Sequence, residues 1–184
     1  MTDEVSGEGF RLRRATADDA DFLAEVAVNE EISPFLAALA ARDPDAFLDE
    51  IERAAETPHE RGRFVVELVH DDGARPVGSI AFEVANRRSR IATLYGLMLR
   101  PDARGRGLAR AATRVFTRHL IEDLGYHRVQ LECYGYNERA IHHFERSGFV
   151  REGVKRKAYW RGGEWVDGVL FGLVREDLEA GALE

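Results

Sequence analysis

Between Leu97 and Arg118 the chain sets two closely spaced glycines, Gly105 and Gly107, among six arginines, Arg100, Arg104, Arg106, Arg110, Arg114 and Arg118, with Asp102 as the only acid. Pro101 ends an apolar run, the glycines remove side chains where the backbone turns, and Leu108, Ala112, Val115, Phe116 and Leu120 then recur at helical spacing. The first N–H groups of a helix have no intrahelical partner and lie at the positive end of its dipole, so this junction predicts an anion site. A diphosphate suits it, since Arg can hold phosphate through two parallel hydrogen bonds. An arginine-rich helix without such glycines is more often a solvated face.

Two nucleotide-binding loops that glycines of this kind suggest are excluded by their neighbours. A Walker A loop ends in Gly-Lys-Ser/Thr, which is missing. Gly105-Arg-Gly107-Leu-Ala-Arg110 lacks the third glycine of a dinucleotide-binding turn and follows a run of strands. Cys133 is the only cysteine in 184 residues, so no intrachain disulfide or Cys-rich zinc module can form, and no metal is expected. The net charge of −7 argues against a general nucleic-acid binder, and only Phe116, on the apolar face, interrupts the arginines. No apolar run approaches the ~18 residues of a membrane span. Met1 to Gly9 has neither the basic nor the apolar stretch of a secretory signal, which makes cytoplasmic location the expectation.

The elements that must present this loop are those of one domain, with 45% apolar and 32% charged residues and enough length for a core without cross-links. Phe10 to Arg14 reads as a short strand and Thr16 as an N-cap; residues 18–28, 34–41 and 44–55 read as helices, the last two with proline near their starts. Strands over residues 63–70, 77–84 and 89–99 form an antiparallel meander, its first turn signalled by Asp71-Asp72-Gly73. After a long helix closed by Leu124-Gly125, residues 127–134 alternate Val129, Leu131 and Cys133 against Arg128, Gln130 and Glu132. Asn137 caps a short helix through Arg146, strand resumes at Phe149, residues 159–163 turn, and 165–174 form the last strand. The domain is expected to span residues 10–178, with 1–9 flexible and 179–184 a tail.

Arg104-Gly105-Arg106-Gly107-Leu108-Ala109 resembles the Arg/Gln-x-x-Gly-x-Gly/Ala pattern of the GCN5-related N-acetyltransferase (GNAT) superfamily. Asn137-Glu-Arg-Ala through Ser147-Gly148-Phe149 resembles its second motif, an Asn-x-x-Ala helix ending in Gly-Phe, at the family's separation. The resemblance covers residues 10–178. The stretch from Glu152-Gly153 through Tyr159, Gly163 and Trp165 to Leu178 is similar to the branch of ribosomal-protein N-terminal acetyltransferases (RimJ/RimL-like), where dimers are common. The resemblance implies an α/β domain built on a twisted, mixed, mostly antiparallel sheet of about seven strands. Two parallel central strands, here those ending at Leu99 and running from Arg128 to Tyr134, would splay apart between flanking helices. It also implies acetyl-CoA as co-substrate and a primary amine as acceptor, reacting by direct attack in a ternary complex.

Acetyl transfer needs a deprotonated amine, a donor for the developing oxyanion and a proton for the thiolate. By resemblance, backbone amides near Met98 and Leu99 would face the thioester and pantetheine, and those of Arg104 to Ala109 the diphosphate. Asn137 would serve both as an N-cap and near the pantetheine arm, and Arg146 could reach the adenosine 3′-phosphate. The family's thiolate-protonating tyrosine falls at Phe144, which cannot donate a proton; Tyr134, Tyr136, Tyr159 or water are the substitutes. Some relatives carry a glutamate where Leu94 stands, so the base candidates here are Glu132, on the polar face of its strand, and then Glu83. His142 and His143 are expected on the outer face of their helix, and Cys133 in the core.

Residues 1–60 hold sixteen Asp or Glu against five Arg, and in the superfamily the N-terminal helices usually form the acceptor side. This favours a cationic acceptor: a protein N-terminus, a polyamine or an aminoglycoside-like amine. Two other classes compete. One is a CoA-binding regulatory module without catalysis, which Phe144 supports; the other is an arginine-lined nucleic-acid site.

Overall fold

The computed structural model describes residues 4–37 and 41–181. The elements run β1 (Glu4–Gly7), β2 (Phe10–Arg14), α1 (Ala20–Val28), α2 (Pro44–Glu56), β3 (Arg61–His70), β4 (Gly73–Asn86), β5 (Ile91–Leu99), α3 (Leu108–Glu122), β6 (Arg128–Tyr134), α4 (Glu138–Arg146), β7 (Val150–Arg161), β8 (Glu164–Val174) and α5 (Arg175–Glu179). They build one mixed sheet of eight strands in the order β1-β2-β3-β4-β5-β6-β8-β7, antiparallel except for β5 beside β6.

Strand alternation sorts the side chains into two layers. On β3, Phe64 and Val66 face α3, where they join Ala112, Phe116 and Leu120 in the larger core; Val65 faces the other way, with Leu23 and Ala27 of α1 and Phe47 of α2. The sheet is thus covered by α3 and α4 on one face and by α1 and α2 on the other. Phe64 and Phe116 meet edge to face at 5.0 Å, a favoured geometry for two buried rings.

Three expectations are corrected. Residues 1–9 were expected to be flexible, yet residues 4–7 form β1, which adds an eighth strand to the anticipated seven or so by pairing with β2. The hairpin closes because Gly7 leaves room for the Phe10 ring; a Cβ at position 7 would stand 2.2 Å from that ring. Of the helix expected over 34–41, only a 3-10 turn at Ser33–Phe35 forms, and Leu36 is already extended. The carbonyl of Pro34, which a helix would use internally, accepts instead from Tyr136 Oη at 2.7 Å and Arg161 Nη2 at 2.9 Å; residues 38–40 lie outside the described residues. The turn expected at 159–163 narrows to Gly162 and Gly163, both at positive φ. Thr16 takes the N-cap position of the first helical turn, and Asp19 reaches back to it: Asp19 Oδ2 accepts from the Thr16 backbone N–H at 2.8 Å and from its hydroxyl at 3.2 Å.

The parallel pairing of β5 and β6 covers Ile91↔Arg128, Ala92↔Val129 and Thr93↔Gln130 and then stops, although β5 continues to Leu99 and β6 to Tyr134. Beyond Thr93 the two strands diverge. The irregularity that lets them do so lies on β5: between Ser79↔Met98 and Ala81↔Tyr95, β5 advances one residue more than β4, with Gly96 at φ +62°.

Candidate active site

Where the two strands part, a cavity of about 1110 Å³ runs from the N-terminus of α3 and the inner side of α4 to the space between α2 and strands β3 to β5. Met98 and Leu99 line it on the β5 side, and Leu131, Glu132 and Cys133 on the β6 side.

The glycine-bearing loop forms one end. Gly105 (φ +83°) and Gly107 (φ +77°) adopt the left-handed conformation that favours glycine, and a Cβ at either would meet no atom within 4 Å. Gly107 is the N-cap of α3 and brings no side chain to satisfy the free N–H groups of the first turn, so these are available to an anion. Arg104 donates Nε to the Leu99 carbonyl at 3.0 Å and Nη1 to Glu31 at 2.7 Å, while its Nη2 is buried without a partner. An orphaned guanidinium nitrogen beside two open glycines fits a diphosphate. Leu108 and Ala109 continue the lining; Arg106 is exposed and its side chain lies outside the lining. At the same end stand Arg110, Arg139 and Arg146, exposed at the rim. Asn137 lines the cavity while its Oδ1 accepts from the Ala140 N–H at 3.1 Å, capping α4. Phe144 is buried against Phe149 and Phe171, its ring reaching the cavity wall.

The catalytic candidates separate into two groups. Glu132 and Glu83 line the cavity; Tyr136 and Tyr159 do not. Glu132 stands two residues beyond the last β5–β6 pair, at the mouth of the opening, and accepts from Lys155 Nζ at 2.6 Å and Tyr159 Oη at 2.7 Å. Burial, then the hydrogen bond to this carboxylate, pushes the Tyr159 hydroxyl up to about 12. Tyr136 stacks on Tyr134 with its hydroxyl on Pro34. Glu83 sits opposite Thr93, exposed, with no ion pair among the described residues. Cys133 packs partly buried against the core, and burial raises its thiol to about 11, so it is no thiolate at neutral pH.

His143 departs from the outer face expected of it. It turns towards α3, Nε2 at 3.0 Å from Thr113 Oγ1, and burial, with Arg110 and Arg139 nearby, lowers its pKa to about 4. The next helix position, Phe144, points into the core, and a helix rotates only about 100° per residue, so His143 cannot face fully outward. His142 is exposed.

The far end holds the residues that the sequence did not single out. Arg63, Glu50, Ser79 and Tyr95 form a hydrogen-bonded cluster beneath α2, around the carbonyl of Gly96. Two signals were legible: a charged residue abutting the apolar run Phe64-Val65-Val66, and an isolated glycine inside a strand pattern, which marks a bulge or a close approach. Asp49, Glu50 and Glu83 line this end together with Arg53, Arg61 and Arg63, and of these only Glu50 and Arg63 form an ion pair among the described residues.

Among known proteins, the chain is 33% identical over 85 residues, 46% of its length, to the SPbeta prophage-derived uncharacterized N-acetyltransferase YokL of Bacillus subtilis strain 168, and covers 48% of that protein. The chain thus matches about half the length of this curated relative. Two solved structures share the fold. Ribosomal-protein-S5-alanine acetyltransferase from Vibrio fischeri has a TM-score of 0.80 at 19% identity, covering 95% of this chain and 97% of its own. RimJ of Mycobacterium smegmatis in complex with CoA-disulfide has a TM-score of 0.81 at 22% identity, covering 98% and 91%. The family model for the acetyltransferase (GNAT) domain matches residues 10–150, from β2 through the diverging strands to the start of β7. A splayed parallel pair, an open glycine loop at a helix N-terminus and this match agree: the chain belongs to the GNAT acetyltransferase family.

Proposed function

We propose that this protein moves an acetyl group from acetyl-CoA to a primary amine by direct attack within a ternary complex, the acceptor arriving as a cation such as a protein N-terminus, a polyamine or an aminoglycoside-like amine. The observation that carries this reading is a single cavity joining the glycine loop of α3 to the charged space under α2 through the gap between β5 and β6. Both reactants then approach one point from opposite ends, and such positioning is worth ~7 to 11 kcal/mol of barrier.

On this reading the loop from Arg104 to Ala109 and the orphaned Arg104 Nη2 hold the diphosphate, Met98 and Leu99 flank the thioester, and Arg146 lies within the basic rim for the adenosine phosphate. The ammonium loses one proton before attack and the nitrogen a second as it bonds to the thioester carbon; the carbon–sulfur bond breaks, the departing thiolate takes up one proton, and one proton is released to solvent overall. Glu132 takes the first proton through water, held in place by Lys155 and Tyr159. Asp49 and Glu83, which have no ion pair among the described residues, meet the cationic acceptor. Phe144 supplies no proton, so the thiolate draws its own from solvent.

The test is release of free thiol from acetyl-CoA with a panel of amines, beside protection of the protein by acetyl-CoA in a melting assay. Protection with amine-dependent thiol release supports the proposal. Protection without release on any amine favours a regulatory CoA-binding module, the reading that Phe144 supports. Absence of protection removes both.

A further inference from the structure

We propose that Arg63 is the positioning residue that sets the backbone of β5 at the transfer point and ties it to α2, an inference that rests on the acetyl-transfer reading above. The side chain leaves β3 on the α2 face of the sheet and is only 6% exposed. Its Nη1 donates to Ser79 Oγ at 2.9 Å and to the carbonyl of Gly96 at 3.5 Å, and Ser79 Oγ donates to that same carbonyl at 3.2 Å. On its other edge, Nε and Nη2 donate to the two carboxylate oxygens of Glu50 on α2, at 3.0 and 3.2 Å. Glu50 also accepts from Tyr95 Oη at 3.1 Å. The guanidinium lies 5.1 Å from the centre of the Phe47 ring and 5.6 Å from that of Tyr95, so aromatic faces fix its plane.

These contacts converge on the irregular step of β5. The Gly96–Leu97 peptide unit is planar and trans, so holding the Gly96 carbonyl on the Arg63 side forces the Leu97 N–H to the opposite side. Leu97, Met98 and Leu99 follow at once along the cavity wall where β5 has left β6. Glycine is required at 96 on two counts: its φ is +62°, and a Cβ there would stand 2.7 Å from Arg63 Nη1. Only arginine can make this bridge, because a planar fork reaches a carboxylate with one edge and a hydroxyl and carbonyl with another, whereas lysine is a point charge. Through it, any displacement of α2 by a bound acceptor is passed to the strand that flanks the thioester.

The experiment uses the full chain, with thiol release from acetyl-CoA as turnover, CoA itself as the binding probe, and hydrogen exchange of residues 96–98 as a readout independent of catalysis. For Arg63→Lys we expect kcat to fall at least tenfold with Kd for CoA unchanged within about twofold, a split that marks loss of an interaction needed for the chemical step. Exchange at 96–98 should quicken. Gly96→Ala should behave likewise, and Arg63→Lys/Gly96→Ala no worse than the more impaired single, since both changes break one contact. A folded Arg63→Lys with wild-type kcat and unchanged exchange overturns the proposal, as does a parallel loss of kcat and CoA affinity. Should Arg63→Lys fail to fold, Ser79→Ala decides: a severalfold loss of kcat with faster exchange at 96–98 supports the proposal, and no change in either overturns it. If the wild-type protein releases no thiol with any amine, the acetyl-transfer reading has failed instead, and the exchange data still report whether Arg63 holds the bulge.

Discussion

At the scale of single residues, hydrogen-bond partners decide which of the cavity's polar groups are free to do chemistry. Glu132 is held by Lys155 and Tyr159, which orient it, whereas Glu83 is exposed and unpaired among the described residues. If Glu132 relays the amine proton, Glu132→Gln should lower kcat at least tenfold, with KM for acetyl-CoA little altered. An unaltered kcat would transfer the role to Glu83. Asn137 gives a cleaner separation of structure from binding. Its Oδ1 caps α4, so Asn137→Ala should cost about 1 kcal/mol in a denaturant melt, while Asn137→Asp, which keeps the cap, should cost little. If the side chain also serves the pantetheine arm, both variants lose CoA affinity, and calorimetric titration with CoA shows whether the two effects part.

At the scale of elements, α3 and α4 form a clamp whose contact surface contains a titratable group. His143 faces Thr113 and Arg110 of α3 and Arg139 of its own helix, and stays neutral down to about pH 4. In the unfolded chain the same imidazole takes up a proton near its ordinary value of about 6.5. Between those values the unfolded state binds more protons than the folded one, so stability is full above roughly pH 6.5 and is lost as pH falls towards 4. Urea melts at several pH values in this window should show that slope, and His143→Gln should flatten it. A slope that persists undiminished in the variant would place the acid sensitivity elsewhere. The β5 bulge and the glycine loop share one device: in each, glycine at positive φ turns the backbone beside the cavity.

At the scale of the whole molecule, charges that are segregated along the sequence are mixed in space. Glu25 pairs with Arg100, Glu31 with Arg104, Glu50 with Arg63 and Glu60 with Arg87, so acids of the first sixty residues are neutralised by arginines from beyond residue 60. For the cationic acceptor proposed above, this leaves a few carboxylates rather than a broad negative field. The Glu31–Arg104 pair also occupies an arginine of the proposed diphosphate loop. Exposed pairs of this kind are worth ~0.2 to 1 kcal/mol, so Glu31→Gln should tighten CoA binding by up to about fivefold at low salt, an effect that titrations at high salt should abolish. Local information sufficed for much of the molecule. Helical spacing after Gly107, alternation from Val129 to Cys133, the Asn137 cap and the glycine pattern of the loop are properties of short stretches, and the two motifs at their spacing indicated family, fold and co-substrate. The Arg63 cluster, the inward turn of His143, the partners of Glu132 and the cancelled N-terminal charge depend on contacts between residues 13 to 75 positions apart. Periodicity and turn chemistry act through neighbours in the chain and can be read along it, whereas ion pairing and backbone positioning arise only once packing brings distant segments within a few ångströms.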